Sequence, residues 1–306
     1  MPRLFLVFVL IASGSLQATG KNSYLTVEGA GGVPLHVVTA GDSDKPPILL
    51  IHGLAQSHYI FHKQFQSALA DDFFLVSFDL RGHGASAKPW MTSAYDSSAV
   101  WAQDVAAVME ATGVRKPLLV GWSFGTLVAL DFIRVFGAEQ VAGVVLTGAI
   151  GGLLPFRLPP EEDPDVAEFQ RVREQQFSAD PRDQVAASYR MVDWLTSAVV
   201  PEDERDVLRS TAMMFPAYAR RAIYTRRQDN RDLLSVLAST PVLLALGADD
   251  NPVMLEDGAS LAADYPNITR SLYENAGHSV FYEQAERFNR ELGEFAGVRR
   301  LESPDR

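Results

Sequence analysis

Short apolar runs alternate with longer segments of helical periodicity along most of this chain. The apolar runs predict strands at residues 24–28, 34–40, 48–51, 73–78, 118–120, 141–146, 241–246 and 268–273. The periodic segments predict helices at residues 61–70, 98–112, 124–136, 255–263 and 280–295. Because the run at 48–51 is apolar at every position, it is typical of a strand buried on both faces. Strands that alternate with helices indicate an α/β fold with a mostly parallel sheet covered on both faces.

The alternation stops between residues 151 and 237. This segment opens with a proline-rich, acidic stretch and contains no apolar run typical of a strand. Its periodicity predicts helices at residues 166–177, 182–195, 202–214 and 217–227. We therefore predict a helical cap (a lid) at residues 151–237, inserted into an α/β core that is formed by residues 21–150 and 238–300.

The first 20 residues predict a signal peptide. Arg3 supplies a positive charge, residues 4–12 are all apolar, and small residues follow them. The apolar run is shorter than the about 20 residues that a membrane-spanning helix requires. We expect residues 1–20 to be removed and the mature chain to be exported to the periplasm or the medium. An N-terminal strand, or an uncleaved segment that anchors the chain in a membrane, is the alternative.

Composition narrows the range of functions. A chain of 306 residues with 47% hydrophobic content can bury one large core. Its 38 acidic and 27 basic residues give a net charge of −11, which argues against a nucleic-acid partner. The chain has no cysteine, so disulfides and cysteine-based metal or redox sites are excluded. His58 and His62 have helical spacing but no third ligand, so we expect a solvent-facing helix surface there and no metal site.

Residues 121–125 read Gly-Trp-Ser-Phe-Gly and match the pattern G-x-S-x-G between a predicted strand and a predicted helix. The two glycines remove side chains from a tight turn, so the Ser123 hydroxyl can stand exposed at its apex. The N-terminus of the following helix favours negative charge at this point. We predict that Ser123 is a nucleophile, and the alternative is a structural glycine turn.

A serine nucleophile needs an adjacent base, and the base needs a carboxylate to orient it. Five of the six histidines precede Ser123, and only His278 fits the chain order serine, acid, histidine. His278 follows the last predicted strand, at the sheet end where such folds build their sites. Asp249 and Asp250 both follow the strand predicted at 241–246, so either of them is a candidate for the acid.

A tetrahedral oxyanion needs two hydrogen-bond donors. We expect them to be the backbone N–H groups of Phe124, directly after the nucleophile, and of Leu54, in the loop after the strand at 48–51. His52 is expected to pack under that loop. Ligand sites are mostly apolar, and we expect three large side chains to line the substrate pocket: Trp122, Trp194 and Phe215.

Five motifs of the chain, in this order, resemble those of the α/β-hydrolase superfamily. They are His52-Gly53, Asp79-x-Arg81-Gly82-x-Gly84-x-Ser86, Gly121-x-Ser123-x-Gly125, Gly247-x-x-Asp250 and Gly277-His278. The resemblance covers residues 24–297 and implies an α/β-hydrolase fold with an eight-stranded sheet, a helical cap after the sixth strand and no cofactor. It also implies that the acid is Asp250, three residues after the glycine.

Within that superfamily the chain looks most like bacterial carboxylesterases and cofactor-free haloperoxidases. Haloalkane dehalogenases and epoxide hydrolases carry aspartate at the position of Ser123, so the chain departs from them. We therefore expect a serine hydrolase that cleaves carboxylic esters through an acyl-enzyme intermediate. Its substrate is expected to be a small apolar ester, with no nucleic-acid partner, no metal, and no membrane span after signal-peptide cleavage. Alternatives are a lactone or carbon–carbon bond hydrolase, and a ligand receptor with vestigial catalysis.

Overall fold

The computed structural model of the protein describes residues 22–157, 164–196 and 200–302. The expected signal peptide, residues 1–20, lies outside the described residues, as do two short pieces of the segment assigned to the cap. Among the described residues, no helix is both long enough and apolar enough to cross a membrane.

A single eight-stranded sheet forms the centre of the molecule. Its strands are β1 (Asn22–Glu28), β2 (Pro34–Ala40), β3 (Pro47–Ile51), β4 (Phe74–Phe78), β5 (Leu118–Trp122), β6 (Gly143–Thr147), β7 (Val242–Gly247) and β8 (Ile268–Tyr273). Their spatial order is β1-β2-β4-β3-β5-β6-β7-β8. Strand β2 runs antiparallel to β1 and β4, and the remaining pairs are parallel. The predicted α/β fold with a mostly parallel sheet is confirmed.

The central strands have no face toward water. Every residue of β4, β5, β6 and β7 is buried, and β3 is buried after its first residue. A parallel strand that is covered by helices on both faces must be apolar at successive positions. This is why the continuous apolar runs in the sequence predict these strands well, and why the loops after them carry the polar side chains.

Helices flank the sheet and fill the segment between β6 and β7. In the described residues they are α1 (His62–Phe65), α2 (Leu69–Asp72), α3 (Ser98–Thr112), α4 (Phe124–Phe136), α5 (Pro164–Gln176), α6 (Pro181–Asp193), α7 (Glu202–Met213), α8 (Ala217–Ile223), α9 (Pro252–Asp264), α10 (Val280–Glu283) and α11 (Ala285–Glu302). The single helix expected at 61–70 is instead two one-turn helices after a 3-10 turn, His58–Phe61. The helix expected at 280–295 breaks at Gln284, whose φ of −123° and ψ of 53° are not helical.

Two helices of the segment assigned to the cap, α7 and α8, contact loops at one end of the sheet. Gln56, in the loop after β3, donates from Nε2 to the carbonyl of Leu208 on α7 (3.3 Å). The Tyr218 hydroxyl on α8 donates to the carbonyl of Lys88, beyond β4 (2.8 Å). Because both loops follow the carboxyl ends of parallel strands, the cap covers the end of the sheet where β5 leads into Ser123.

Candidate active site

Ser123 occupies a strained turn between β5 and α4, with φ 52° and ψ −117°. A positive φ is unfavourable for a residue with a side chain, so neighbouring contacts must hold the turn in place. The Ser123 N–H donates to the Thr147 carbonyl on β6 (2.8 Å). The Thr126 N–H and hydroxyl donate to the Ser123 carbonyl at 3.0 and 2.6 Å. Ser123 remains partly exposed in this turn, so its hydroxyl is accessible.

The two glycines of the motif are required by close backbone approaches. A Cβ atom on Gly121 would lie 2.6 Å from the carbonyl oxygen of Gly125. A Cβ atom on Gly125 would lie 2.1 Å from the carbonyl oxygen of Ile51 on β3. Both distances are far below van der Waals contact, so any side chain at either position would push the nucleophile turn away from the sheet.

The expected oxyanion segments border Ser123 from two sides. Helix α4 begins at Phe124, whose N–H belongs to the first turn and therefore has no acceptor within the helix. On the other side lies the loop after β3, where a Cβ on Gly53 would be 3.0 Å from the Cβ of Ser123. Leu54 follows in that loop and is half-buried. The N–H groups of Phe124 and Leu54 are therefore the backbone donors to consider beside the serine.

His52 supports this loop from below and is fully buried. Its Nδ1 donates to the Gly53 carbonyl (2.7 Å), and its Nε2 accepts from the Leu80 N–H (2.9 Å). One donated and one accepted bond require the neutral tautomer with its proton on Nδ1. Burial lowers the pKa of His52 to about 4, so the ring stays neutral at physiological pH. His52 has the packing position expected from the sequence.

His278 and Asp250 meet in the loops after β8 and β7. The Nδ1 of His278 donates to Oδ2 of Asp250 at 2.9 Å. The other oxygen of Asp250 accepts from the Asn251 N–H at 2.8 Å, while the side chain of Asp249 is exposed. Burial lowers the pKa of His278, but the charge and hydrogen bond of Asp250, with the charge of Glu283, outweigh it and raise the pKa above its usual value.

Two residues that the sequence analysis did not assign to this role hold the His278 loop. Glu283 on α10 accepts from the Gly277 N–H (2.9 Å) and the Ser279 N–H (3.4 Å). Trp122 donates from its indole nitrogen to the His278 carbonyl (2.9 Å) and is 0% exposed. The expectation that Trp122 lines the pocket is therefore corrected, because a fully buried ring packs beneath the site. Trp122 reaches this loop only through the tertiary fold, whereas Glu283 lies on the helix that directly follows it.

The loop after β4 uses Asp79 as its organising carboxylate. Oδ1 of Asp79 accepts from the backbone N–H and the ring Nδ1 of His58, each at 2.8 Å. Oδ2 accepts from the Ala85 N–H at 2.7 Å. The expected solvent-facing histidine surface is thus corrected, since His58 turns inward to Asp79, whereas Nδ1 of His62 contacts the Tyr59 carbonyl. Burial raises the pKa of Asp79, but the hydrogen bonds of His58 and the charges of His58 and His52 outweigh it and lower that pKa to about 2.

One group of side chains in the described residues could hold a metal ion. Its members are His36, His58 and Asp79, whose potential ligand atoms lie within 4.8 Å of one another. Both Asp79 oxygens already accept hydrogen bonds from the protein. The three residues come from β2, the 3-10 turn His58–Phe61 and the loop after β4, and not from the segments that carry Ser123, Asp250 and His278.

The two cap residues expected in the pocket differ in their surroundings. The Trp194 ring is half-buried within the cap, 6.1 Å from the Phe169 ring and 5.3 Å from the Arg190 guanidinium. Phe215 is buried at the seam between cap and core, where its ring stacks on His83 with centroids 4.0 Å apart. Phe215 therefore joins the cap to the loop after β4, and its role toward substrate stays a prediction, as does that of Trp194.

Comparison with known proteins identifies the family of this chain. The family model for the alpha/beta hydrolase fold matches residues 46–285, so the chain belongs to that family. It is 24% identical over 259 residues to the AB hydrolase superfamily protein YisY of Bacillus subtilis (strain 168). That match covers 82% of this chain and 91% of YisY.

Solved structures extend the resemblance to esterases. One is a protein provisionally assigned as an aryl esterase from Burkholderia cenocepacia, with a TM-score of 0.80 and 30% identity, covering 90% of this chain and 99% of that one. Another is the esterase RhEst1 from Rhodococcus sp. ECU1013, with a TM-score of 0.75 and 29% identity, covering 90% and 98%. The chain is thus an esterase-like α/β hydrolase, a member of an enzyme family that acts on small-molecule substrates.

Proposed function

We propose that the protein hydrolyses carboxylic esters through an acyl-enzyme, with Ser123 as nucleophile, His278 as base and Asp250 as the orienting acid. The observation that carries the proposal is the 2.9 Å bond between His278 and Asp250 in loops that follow neighbouring strands. A histidine whose Nδ1 is held by a carboxylate presents Nε2 as the acceptor for a serine proton. The exposed, strained turn presents the serine.

The chemistry follows two steps of the same form. Ser123 Oγ attacks the ester carbonyl while His278 Nε2 takes its proton, and His278 then returns the proton to the leaving alcohol. Water repeats the sequence on the acyl-enzyme and releases the acid. Asp250 stabilises the imidazolium that forms in each step. The backbone N–H groups of Phe124 and Leu54 donate to the oxyanion of each tetrahedral intermediate.

As a substrate, an ester fits a serine nucleophile and the two esterase structures better than an epoxide or a halide does. A serine alkoxide adds to a carbonyl, and the resulting oxyanion matches donors placed beside the helix N-terminus. The two solved structures described above as esterases share 30% and 29% identity with this chain. Repeated turnover, which the following experiment measures, would distinguish an enzyme from a receptor that only binds its ligand.

Turnover of p-nitrophenyl esters of increasing acyl length tests the proposal. Wild-type protein should release p-nitrophenol over many cycles, and Ser123→Ala should lose on the order of 10⁴ to 10⁶ in kcat. Circular dichroism of the variant should match the wild type. A variant that keeps a tenth of the activity would remove Ser123 from its role, and a wild type that stops after one cycle would favour a ligand receptor over a hydrolase.

We also propose that the chain is exported after loss of its first residues. The support is the positive charge of Arg3 and the apolar run at residues 4–12. Protein isolated from its native host should begin between Gly14 and Asn22 when its N-terminus is sequenced. An intact Met1 or Pro2 on cytoplasmic protein would contradict export.

A further inference from the structure

Three arginines are buried among the described residues, and two of them are paired with a carboxylate. Arg81 is 1% exposed and donates from Nε and Nη2 to Asp104, both at 2.6 Å. Arg226 is 4% exposed and pairs with Asp131 on α4. In each pair the carboxylate is also buried. This is the usual arrangement, because a buried charge is costly unless it is paired.

Arg220 is the exception among these three. It lies on α8, is 3% exposed, and has no carboxylate partner among the described residues. Its Nε has no hydrogen-bond partner, and its Nη2 makes one long contact of 3.5 Å to the Phe215 carbonyl. Burial lowers the pKa of Arg220 to about 10, so it is still a cation at neutral pH. The chain therefore keeps an uncompensated positive charge inside the cap.

The position of α8 relates this charge to the catalytic residues. Before the helix, Phe215 stacks on His83 of the loop after β4. After it, the Arg226 guanidinium lies 5.2 Å from the ring of Phe124, the residue next to the nucleophile. The segment thus crosses from the loop after β4 to the nucleophile turn, and Arg220 is buried between these two anchors, 5.2 Å from the Phe215 ring.

We propose that Arg220 binds a carboxylate carried by the ester substrate, which makes the substrate class the half-esters of dicarboxylic acids. This rests on the proposed ester hydrolysis and adds an anionic group to the apolar ester expected from the sequence. The Nε and Nη2 atoms form the edge of a guanidinium that pairs with both oxygens of a carboxylate. At Arg220 this edge carries only the long contact to Phe215, which the carboxylate of a bound substrate would replace.

A pair of substrates that differ only in charge tests the assignment. They are p-nitrophenyl hydrogen glutarate, an anion, and p-nitrophenyl methyl glutarate, its neutral counterpart. Wild-type kcat/KM should favour the anion. Arg220→Met should lose about tenfold or more on the anion, mostly through KM, and stay within about twofold on the neutral ester. Equal losses on both esters, or a wild type without preference for the anion, would overturn the assignment.

Arg221→Met is the matched control. Arg221 is the next residue of α8, is exposed, and its removal changes the net charge by the same amount. Arg221→Met should leave the preference for the anion unchanged, because an exposed charge is screened. If both variants lose the preference to the same degree, the effect is the general charge of the cap and not a carboxylate site at Arg220.

Two further measurements separate this inference from the proposed hydrolysis and from a folding defect. Calorimetric titration of Ser123→Ala with glutarate needs no turnover: binding that is lost in Ser123→Ala/Arg220→Met supports the site, and equal or absent binding overturns it. Absent turnover of the neutral ester by wild type would instead contradict only the hydrolysis. Arg220→Met should melt at or above the wild-type temperature, because it removes an unpaired buried charge. If it unfolds, Arg220→Lys decides, and unchanged discrimination there overturns the paired geometry.

Discussion

At the scale of single residues, the site depends on side chains that fix loop backbone as much as on those that react. Trp122 and Glu283 bind backbone atoms around His278, and Thr126 donates to the carbonyl of Ser123. These contacts hold a histidine and a strained serine turn in fixed positions before any substrate arrives. Preorganised groups contribute more to catalysis than groups that must reorient during the reaction.

The two neighbouring aspartates give a sharp test at this scale. Asp250→Asn should lower kcat by about 10⁴, because an amide beside His278 favours the wrong tautomer and does not stabilise the imidazolium. Asp249→Asn is the matched control, because Asp249 is exposed and the substitution removes the same charge at the adjacent position. Steady-state rates on one p-nitrophenyl ester decide between them. A larger loss in Asp249→Asn would move the acid to that residue.

The pH dependence of the reaction should report His278. The neutral ring is the base, so kcat/KM should fall about tenfold per pH unit below its pKa. Because Asp250 and Glu283 raise that pKa, the acid limb should lie above about 6.5, the usual histidine value. Glu283→Gln keeps an oxygen for the Gly277 N–H but loses the charge, so its acid limb should move to lower pH. An unchanged or raised limb would contradict this electrostatic account.

At the scale of elements, continuous apolar runs predict the buried strands because a strand that is covered on both faces must be apolar at successive positions. The same reasoning fails at residues 61–70, where apolar and polar positions are helical in spacing but the chain forms separate turns. It also fails for side chains that find partners across the fold. The contact of His58 with Asp79 joins loops that follow different strands, which local periodicity does not encode.

Of the site itself, the sequence predicts the residues carried by short motifs. The Ser123 turn follows from two glycines, and His278 follows from its place after the last strand. Asp250 and Asp249 are adjacent and chemically identical, so residue reasoning leaves them open until the family spacing, and then the structure, distinguishes them. The role of Trp122 could not be predicted from the sequence, because an aromatic side chain beside the predicted nucleophile is compatible with both a pocket wall and a buried support.

The contact between Phe215 and His83 gives a prediction for how the cap is attached to the core. Phe215→Ala removes a buried ring stacked on His83, and should cost about 3 to 5 kcal/mol of unfolding free energy. Phe156→Ala, at a cap position 80% exposed, should change it by less than about 0.5 kcal/mol. Denaturant unfolding of both variants is the measurement. Equal stabilities would show that Phe215 does not join the cap to the core.

At the scale of the whole molecule, the proposed function and the inference about Arg220 assign chemistry and selectivity to different parts of the chain. The sheet loops carry Ser123, Asp250 and His278, while the cap supplies Phe215 and Arg220 at the seam. This separation lets the cap vary while the reacting groups stay fixed, as expected when function is built on a common fold. Because the net charge is −11, the molecule as a whole does not attract anions, and binding of an anionic substrate would depend on a local positive charge such as that of Arg220.

Covalent trapping of the nucleophile tests the central claim most directly. Wild-type protein is treated with a p-nitrophenyl alkylphosphonate, which forms a stable analogue of the tetrahedral intermediate on an activated serine, and its intact mass and peptides are measured. The account predicts one adduct per chain, located on Ser123, with none on Ser123→Ala and slow labelling of Asp250→Asn. An adduct on another residue, or equal labelling of Ser123→Ala, would contradict the claim that Ser123 is the activated nucleophile of this site.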